Sequence, residues 1–171
     1  MSNSNIKPLD LRAFFPYQLS ILQSHVSDHV GAFYRQAFGM TRNEWRILAV
    51  LAMHIDGDNK AHISAKDICT FTKLAKMPVS RALKQLEAAN LVARQQSTSD
   101  MRFTHFTLKA KGVARYQAIV PKVRVAEQQI LQLLTSEEQA QLKILTEKLL
   151  QKMSIELPQT ATDKTTNSKT D

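Results

Sequence analysis

Apolar residues recur at steps of three and four along most of this chain, which is the pattern of helices that bury one face. The pattern predicts six helices, over residues 10–38, 42–54, 64–71, 76–89, 112–134 and 135–153. Three of these helices begin with a capping box, a hydroxyl residue three positions before an acidic one: Thr41 and Glu44, Ser64 and Asp67, Thr135 and Glu138. The chain is therefore predicted to be mainly α-helical.

Between the fourth and fifth predicted helices, the pattern changes to the alternation typical of strands. Residues Leu91–Gln95 and Phe103–Leu108 predict two strands, joined by the polar segment Gln96–Arg102. Two short helices, a tight break and a hairpin with a basic tip thus form one unit over Ile63–Leu108. This is the order of elements in a winged helix-turn-helix, whose second helix enters a major groove of DNA.

The composition is that of an ordinary globular protein and excludes several classes. Apolar residues make up 43% and charged residues 22% of 171 residues, which suits one compact domain. The longest apolar run, Ile47–Met53, is far shorter than the roughly 20 residues of a membrane span, and residues 1–10 do not resemble a signal peptide. Because Cys69 is the only cysteine, no internal disulfide forms, and a cytoplasmic location is predicted.

Positive charge is concentrated in the middle of the chain. The formal net charge is +8, and all of it lies between Lys60 and Arg115, where eleven Lys and Arg residues outnumber three acidic ones. The rest of the chain is neutral. A neutral body with one basic third is typical of a protein that binds a polyanion. The winged unit in the same segment favours double-stranded DNA over a membrane surface.

Six segments together form a specific pattern: Glu44–Leu51, Ile63–Ile68, Val79–Glu87, Leu91–Val92, Asp100–Arg102 and Leu108–Gly112. This pattern resembles the multiple-antibiotic-resistance regulator (MarR) family of bacterial transcription regulators, from about Leu19 to Leu150. The resemblance implies a homodimer whose first and last helices intertwine. It implies a helical dimerisation region over 10–38 and 112–154 and a winged helix-turn-helix over 41–110. The polar segments 1–9 and 158–171 are predicted to be disordered tails.

The resemblance also implies which residues contact an operator. They lie on the recognition helix and the wing: Lys76, Met77, Pro78, Ser80, Arg81, Lys84, Thr98, Ser99, Asp100 and Arg102. An arginine such as Arg102 gains from the negative potential of a narrow minor groove, and Asp100 is placed to hold its guanidinium group. Relatives often carry an acidic or hydroxyl cap before the recognition helix. This chain has Ala75 there, so the cap is expected from Thr72.

In this family a small-molecule pocket lies between the dimerisation helices and the second helix. The resemblance therefore implies an effector site built from Arg12, His25, His29, Trp45 and Arg46. The resemblance leans toward regulators of aromatic or hydroxycinnamate catabolism, which favours a phenolic acid, its aldehyde or its thioester as effector. The arginine that often pairs with the ligand carboxylate in such relatives has no counterpart in Gln23–His25, where His25 is the nearest substitute. The predicted function is a repressor that an aromatic molecule releases from its operator.

Other kinds of function remain as alternatives. His25 and His29 are four residues apart, which suits half of a zinc site, but no Cys or His cluster supplies the other half. Cys69 either senses oxidants or is a small buried apolar residue. A winged-helix adaptor that senses no ligand is a further alternative. The sequence has no arrangement of residues typical of an enzyme, and we predict no cofactor and no metal.

Overall fold

The structure is a computed structural model that describes residues 8–55, 63–96 and 104–153. In chain order, its elements are α1 (Phe15–Phe38), α2 (Arg42–Met53), β1 (Ile63–Ser64), α3 (Ala65–Thr72), α4 (Lys76–Ala88), β2 (Val92–Gln96), β3 (Thr104–Leu108), α5 (Ala110–Leu131) and α6 (Ser136–Lys152). The predicted fold class, mainly helical with a small β-sheet, is therefore confirmed. None of the described helices is both long and apolar enough to cross a membrane. The predicted tails lie almost entirely outside the described residues.

Helix starts follow the local chemistry that the sequence indicates. All three capping boxes form, before α2, α3 and α6. The predicted start of α1 at Asp10 is wrong, because the carboxylate of Asp10 accepts a hydrogen bond from the amide of Arg12 at 3.0 Å and makes a turn instead. Helix α1 begins at Phe15, with Pro16 in its first turn. It ends at Gly39, whose φ of 61° belongs to the left-handed region that favours glycine.

The strands form a three-stranded antiparallel sheet in the order β1-β3-β2. The predicted hairpin is present: Val92 pairs with Leu108 and Gln96 pairs with Thr104. Strand β1 was not predicted, because its two residues are too few to show an alternating pattern. It pairs Ile63 with Phe106 and covers the outer edge of β3.

The core lies where α2, α3, α4 and the sheet meet. Leu48, Leu51, Ile68 and Leu86 are almost completely buried there. Helix α1 packs on α5, and Tyr34 and Ile119 extend the core between them. The C-terminal helix is different, since α6 has no buried residue.

Gly112 allows α5 to approach the loop before β2. A Cβ atom at this position would overlap the carbonyl oxygen of Leu91, which is fixed because it accepts a hydrogen bond from Lys109 at 2.9 Å. Helix propensity alone predicts that alanine here stabilises the protein by about 1 kcal/mol. We expect the opposite: Gly112→Ala should lower the free energy of unfolding by about 1–3 kcal/mol. Urea denaturation measures this, and a gain in stability would show that α5 does not pack this closely.

Candidate nucleic-acid interface

The turn between α3 and α4 sets the orientation of the second helix. Lys73 ends α3 with a φ of 54°, in the left-handed region. The expectation that Thr72 caps α4 is wrong. Its hydroxyl donates to the carbonyl of Ile68 at 2.7 Å and accepts from the amide of Leu74 at 3.3 Å, so it stabilises the turn. The N-cap residue Ala75 makes no side-chain hydrogen bond, which leaves the first amides of α4 available to an external acceptor.

Helix α4 buries one face and exposes a basic one. Four residues anchor it to the core: Val79, Ala82, Leu83 and Leu86. Four of the predicted DNA-contacting residues are exposed on the remaining surface: Lys76, Met77, Arg81 and Lys84. Pro78 and Ser80 are half-buried, because the rotation of the helix turns them toward its packed side. The exposed residues give this side of α4 a positively charged surface, the kind of surface that a recognition helix presents to a major groove.

The wing residues lie outside the part of the chain that the structure describes. This applies to Thr98, Ser99, Asp100 and Arg102. The strands that lead to them, β2 and β3, are described, and β2 carries the exposed Arg94 at its middle. The predicted role of the wing thus stays a prediction.

The fold divides the basic segment into two groups. Lys109 donates to the side chain of Asn90 at 2.6 Å, and Lys111 donates to the carbonyl of Ala89 at 2.9 Å, so both hold the C-terminal end of α4 against α5. Arg115 lies over the ring of Phe38, 4.2 Å from its centroid. These cations stabilise the fold and do not contribute to the exposed surface of α4.

The second group of described cations surrounds the helix-turn-helix: Lys66, Lys73, Lys76, Arg81, Lys84 and Arg94. Lys66, Lys73 and Arg94 were not among the predicted site residues, although the charge count included them. The sequence shows which residues are lysine or arginine, but it does not show which of these side chains lie beside α4. We call the group of six the basic face.

A second candidate site is a groove between α1 and α2, with a volume of about 170 Å³. Its lining consists of Val26, Ser27, Val30, Tyr34, Arg42, Trp45 and Arg46. The indole of Trp45 stacks between two phenol rings, with centroid distances of 5.6 Å to Tyr34 and 5.8 Å to Tyr116. Two of the predicted effector residues, Trp45 and Arg46, thus meet at one groove. The arrangement places aromatic side chains beside guanidinium groups.

The other predicted effector residues lie elsewhere. His25 is exposed on α1 and does not line the groove. His29 Nε2 lies 3.1 Å from Oε1 of Gln129, within hydrogen-bond distance, and so links α1 to α5. Arg12 lies in the turn before α1. Among the described residues, no three His, Cys, Asp or Glu side chains are grouped to hold a metal ion.

Two ionisable groups beside this groove, Asp28 and Tyr34, lie near arginines. Asp28 lies 3.3 Å from the guanidinium of Arg35 and 3.9 Å from that of Arg42. Burial raises the pKa of Tyr34, although Arg35, Arg42 and Arg46 oppose this effect. Tyr34 therefore stays a neutral phenol at physiological pH, and the positive charge of the groove comes from its arginines.

The comparisons with known proteins agree with this architecture. A sequence model described as the MarR family matches residues 38–102, which include the helix-turn-helix. No curated protein sequence matches the chain.

Three solved structures have a similar fold over most of the chain. A MarR/EmrR family transcriptional regulator from Acinetobacter sp. ADP1 is 26% identical, with a TM-score of 0.71 over 85% of this chain and 99% of its own. The Mycobacterium tuberculosis MarR family protein Rv2887, in complex with salicylic acid, is 27% identical, with a TM-score of 0.62 over 80% and 96%. Staphylococcus aureus MepR in complex with DNA is 22% identical, with a TM-score of 0.71 over 81% and 98%. Residues 38–102 therefore match the model of the MarR family, and the described chain has a winged-helix fold similar to those of MarR-family transcription regulators.

Proposed function

We propose that this protein is a homodimeric, DNA-binding transcription repressor that an aromatic small molecule releases from a near-palindromic operator. The exposed, basic surface of α4 carries the proposal. It combines Lys76, Arg81 and Lys84 with a helix N-terminus that has no side-chain cap. MepR, which has this fold, was crystallised with DNA, and that supports the same role for α4 here.

Dimerisation follows from the apolar residues that the single chain leaves exposed. On α6 they are Leu142, Ile144, Leu145 and Leu149. On α1 they include Phe15, Leu19, Ile21 and Leu22. A helix owes most of its stability to the packing of its apolar face, so α6 needs a partner that covers it. We infer that the partner is a second copy of this chain. A twofold axis would then place two α4 helices about 34 Å apart, one turn of DNA.

Arg81 provides the test of the DNA-binding surface. We expect Arg81→Ala to weaken binding to the selected operator by about 1–3 kcal/mol and to relax base preference at one position per half-site. The operator is first selected from random duplexes, and binding is then measured on a panel of single-base variants. Arg124→Ala is the matched control, because Arg124 is exposed on α5 and its loss changes the net charge equally. Equal effects of the two substitutions would contradict the role of α4.

For the effector, we infer a site at the α1–α2 groove. The edge of the Trp45 indole supplies an apolar surface, since its faces stack on tyrosine rings, and Arg42 and Arg46 offer donors for a carboxylate or phenolate oxygen. The complex of Rv2887 with salicylic acid shows that a protein of this fold binds an aromatic acid. The effector would bind best to the conformer whose two α4 helices are wrongly spaced, and so shift the population away from DNA.

Because Trp45 is the only tryptophan, its fluorescence reports on this groove. We expect a phenolic acid, aldehyde or thioester to quench the emission and to weaken DNA binding, with DNA weakening effector binding by the same factor. Arg46→Gln should lose at least about 1 kcal/mol of effector affinity, and Arg124→Gln should lose none. A zinc sensor would instead respond to a chelator, and a redox sensor would lose its response in Cys69→Ser. A response to neither treatment, with no effect of aromatics, would favour an adaptor.

A further inference from the structure

Three aromatic rings from three helices form one stack beside the α1–α2 groove. The Trp45 indole of α2 lies 5.6 Å from the Tyr34 ring of α1 and 5.8 Å from the Tyr116 ring of α5, measured between centroids. The interplanar angles are 23° and 16°, so both pairs are stacked. Tyr34 and Trp45 line the groove, whereas Tyr116 does not. Tyr116 thus touches a wall of the proposed effector site without lining the site itself.

The part of α5 that carries Tyr116 also holds the end of α4. Hydrogen bonds join the two helices there: the Lys109 amide donates to the Leu91 carbonyl at 2.9 Å, Lys109 Nζ to Asn90 Oδ1 at 2.6 Å and Lys111 Nζ to the Ala89 carbonyl at 2.9 Å. Gly112 lies four residues before Tyr116, on the same face of α5, where its lack of a Cβ allows close approach to Leu91. The first two turns of α5 therefore contact both Trp45 and the segment that ends α4.

We propose that Tyr116 is a positioning residue that couples the effector groove to α4. A molecule in the groove contacts Trp45, and a displacement of the indole also displaces the ring stacked on it, because close-packed interiors transmit strain. Helix α5 carries this displacement to the end of α4, and so changes the spacing of the two DNA-binding surfaces. The inference rests on the proposed function and deepens it, since it names the path by which the effector acts.

A direct path through α2 is the competing explanation. Helix α2 itself packs on α4, so a displacement of α2 as a whole would reach α4 without α5. The two paths give opposite expectations for Tyr116. Loss of its ring interrupts the path through α5 and leaves the packing of α2 on α4 in place.

The coupling factor measures the path, as the ratio of the salicylate dissociation constants with and without saturating operator. Salicylate is the probe, and equilibrium dialysis of the labelled compound gives both constants. Tyr116→Leu should lower the factor by at least about threefold, within the range found for residues between coupled sites. It should change the salicylate affinity of the DNA-free protein little, because Tyr116 does not line the groove. Tyr116→Phe keeps the ring and should keep the wild-type factor.

Phe33→Leu is the matched control for the loss of a partly buried ring. Phe33 is half-buried on α1 and packs edge-on against Phe38, outside the stack. Its substitution should leave the coupling factor near the wild-type value. An unchanged factor in Tyr116→Leu, or an equal decrease in Phe33→Leu, would overturn the role of Tyr116. Loss of salicylate binding by the DNA-free Tyr116→Leu variant would overturn it too, because Tyr116 would then belong to the binding site.

The emission of Trp45 tests the same path without an effector, and in the wild-type protein without a substitution. Trp45 is the only tryptophan and is not part of the basic face, so operator binding reaches it through the fold. Operator should shift the wild-type emission, and Tyr116→Leu should bind operator but lose most of the shift. An unshifted wild-type emission, or an equal shift in the variant, would overturn the proposal. Operator binding that salicylate leaves unchanged would contradict the proposed effector instead, and the emission shift would still decide the role of Tyr116.

Discussion

Raising the salt concentration from about 50 to 200 mM should weaken DNA binding by this protein about 10³- to 10⁵-fold, the loss expected for six to ten phosphate contacts. The basic face supplies six described cations in each subunit, and a dimer presents two such faces. Each phosphate contact releases condensed counterions, so the logarithm of affinity falls linearly with the logarithm of salt concentration. Fluorescence anisotropy of a labelled duplex across a salt series gives the slope.

Two lysines of the same basic segment provide a matched pair for this experiment. Lys84 is exposed on α4, whereas Lys111 donates to the carbonyl of Ala89. Lys84→Gln should reduce the salt slope by about one for each subunit, and Lys111→Gln should leave the slope nearly unchanged. A slope near zero in the wild-type protein, or equal changes in the two variants, would contradict the division of the basic segment into two groups.

The second large effect is expected at the dimer interface. Leu145 of α6 is 57% exposed in the single chain. If a second copy buries it, Leu145→Glu removes about 1.5–3 kcal/mol of apolar burial from each subunit, and symmetry doubles the loss. The dimer dissociation constant should therefore rise about 10²- to 10⁴-fold. Operator binding should fall with it, because a monomer reads only one half-site.

Sedimentation equilibrium at micromolar concentration measures the dimer, and anisotropy measures operator binding. Gln151→Glu is the control: it introduces the same charge on the same helix, at an exposed position that lies on a different face from Leu145. Circular dichroism checks that both variants keep their helices. A monomeric wild-type protein, or a Leu145→Glu variant that dimerises as strongly as Gln151→Glu, would contradict the proposed interface.

The order of the elements could be predicted because its signals are local. A capping box such as Thr41 and Glu44 closes within one helical turn, and the repeat of apolar residues reflects only the geometry of one helix. Strand β1 escaped prediction because its evidence is a pairing with Phe106, more than forty positions away. Thr72 was misassigned for a different reason. Its hydroxyl could either cap α4 or bond back within α3, and it donates to the carbonyl of Ile68.

The candidate sites were predictable in location but not in detail. The charge count identified the segment that holds the helix-turn-helix, and the pattern of α4 identified the anchoring residues Val79 and Leu86. It did not show that Ser80 turns toward a cleft, because that cleft exists only where α4 faces the sheet. Likewise, Trp45 and Arg46 of α2 share a groove with α1, whereas His25 of α1 is exposed and does not line it.

The sequence by itself determined the helices, their caps, the hairpin and the segment that carries the excess positive charge, since each depends on residues close together in the chain. Only the tertiary structure decided what each cation does. Lys84 and Lys109 belong to one basic segment, yet one is exposed on α4 and the other pairs with Asn90. The difference arises because α5 begins against the C-terminal end of α4, where Gly112 allows close approach. Contacts between distant segments, which no local pattern encodes, decide which cations are exposed on α4 and which support the fold.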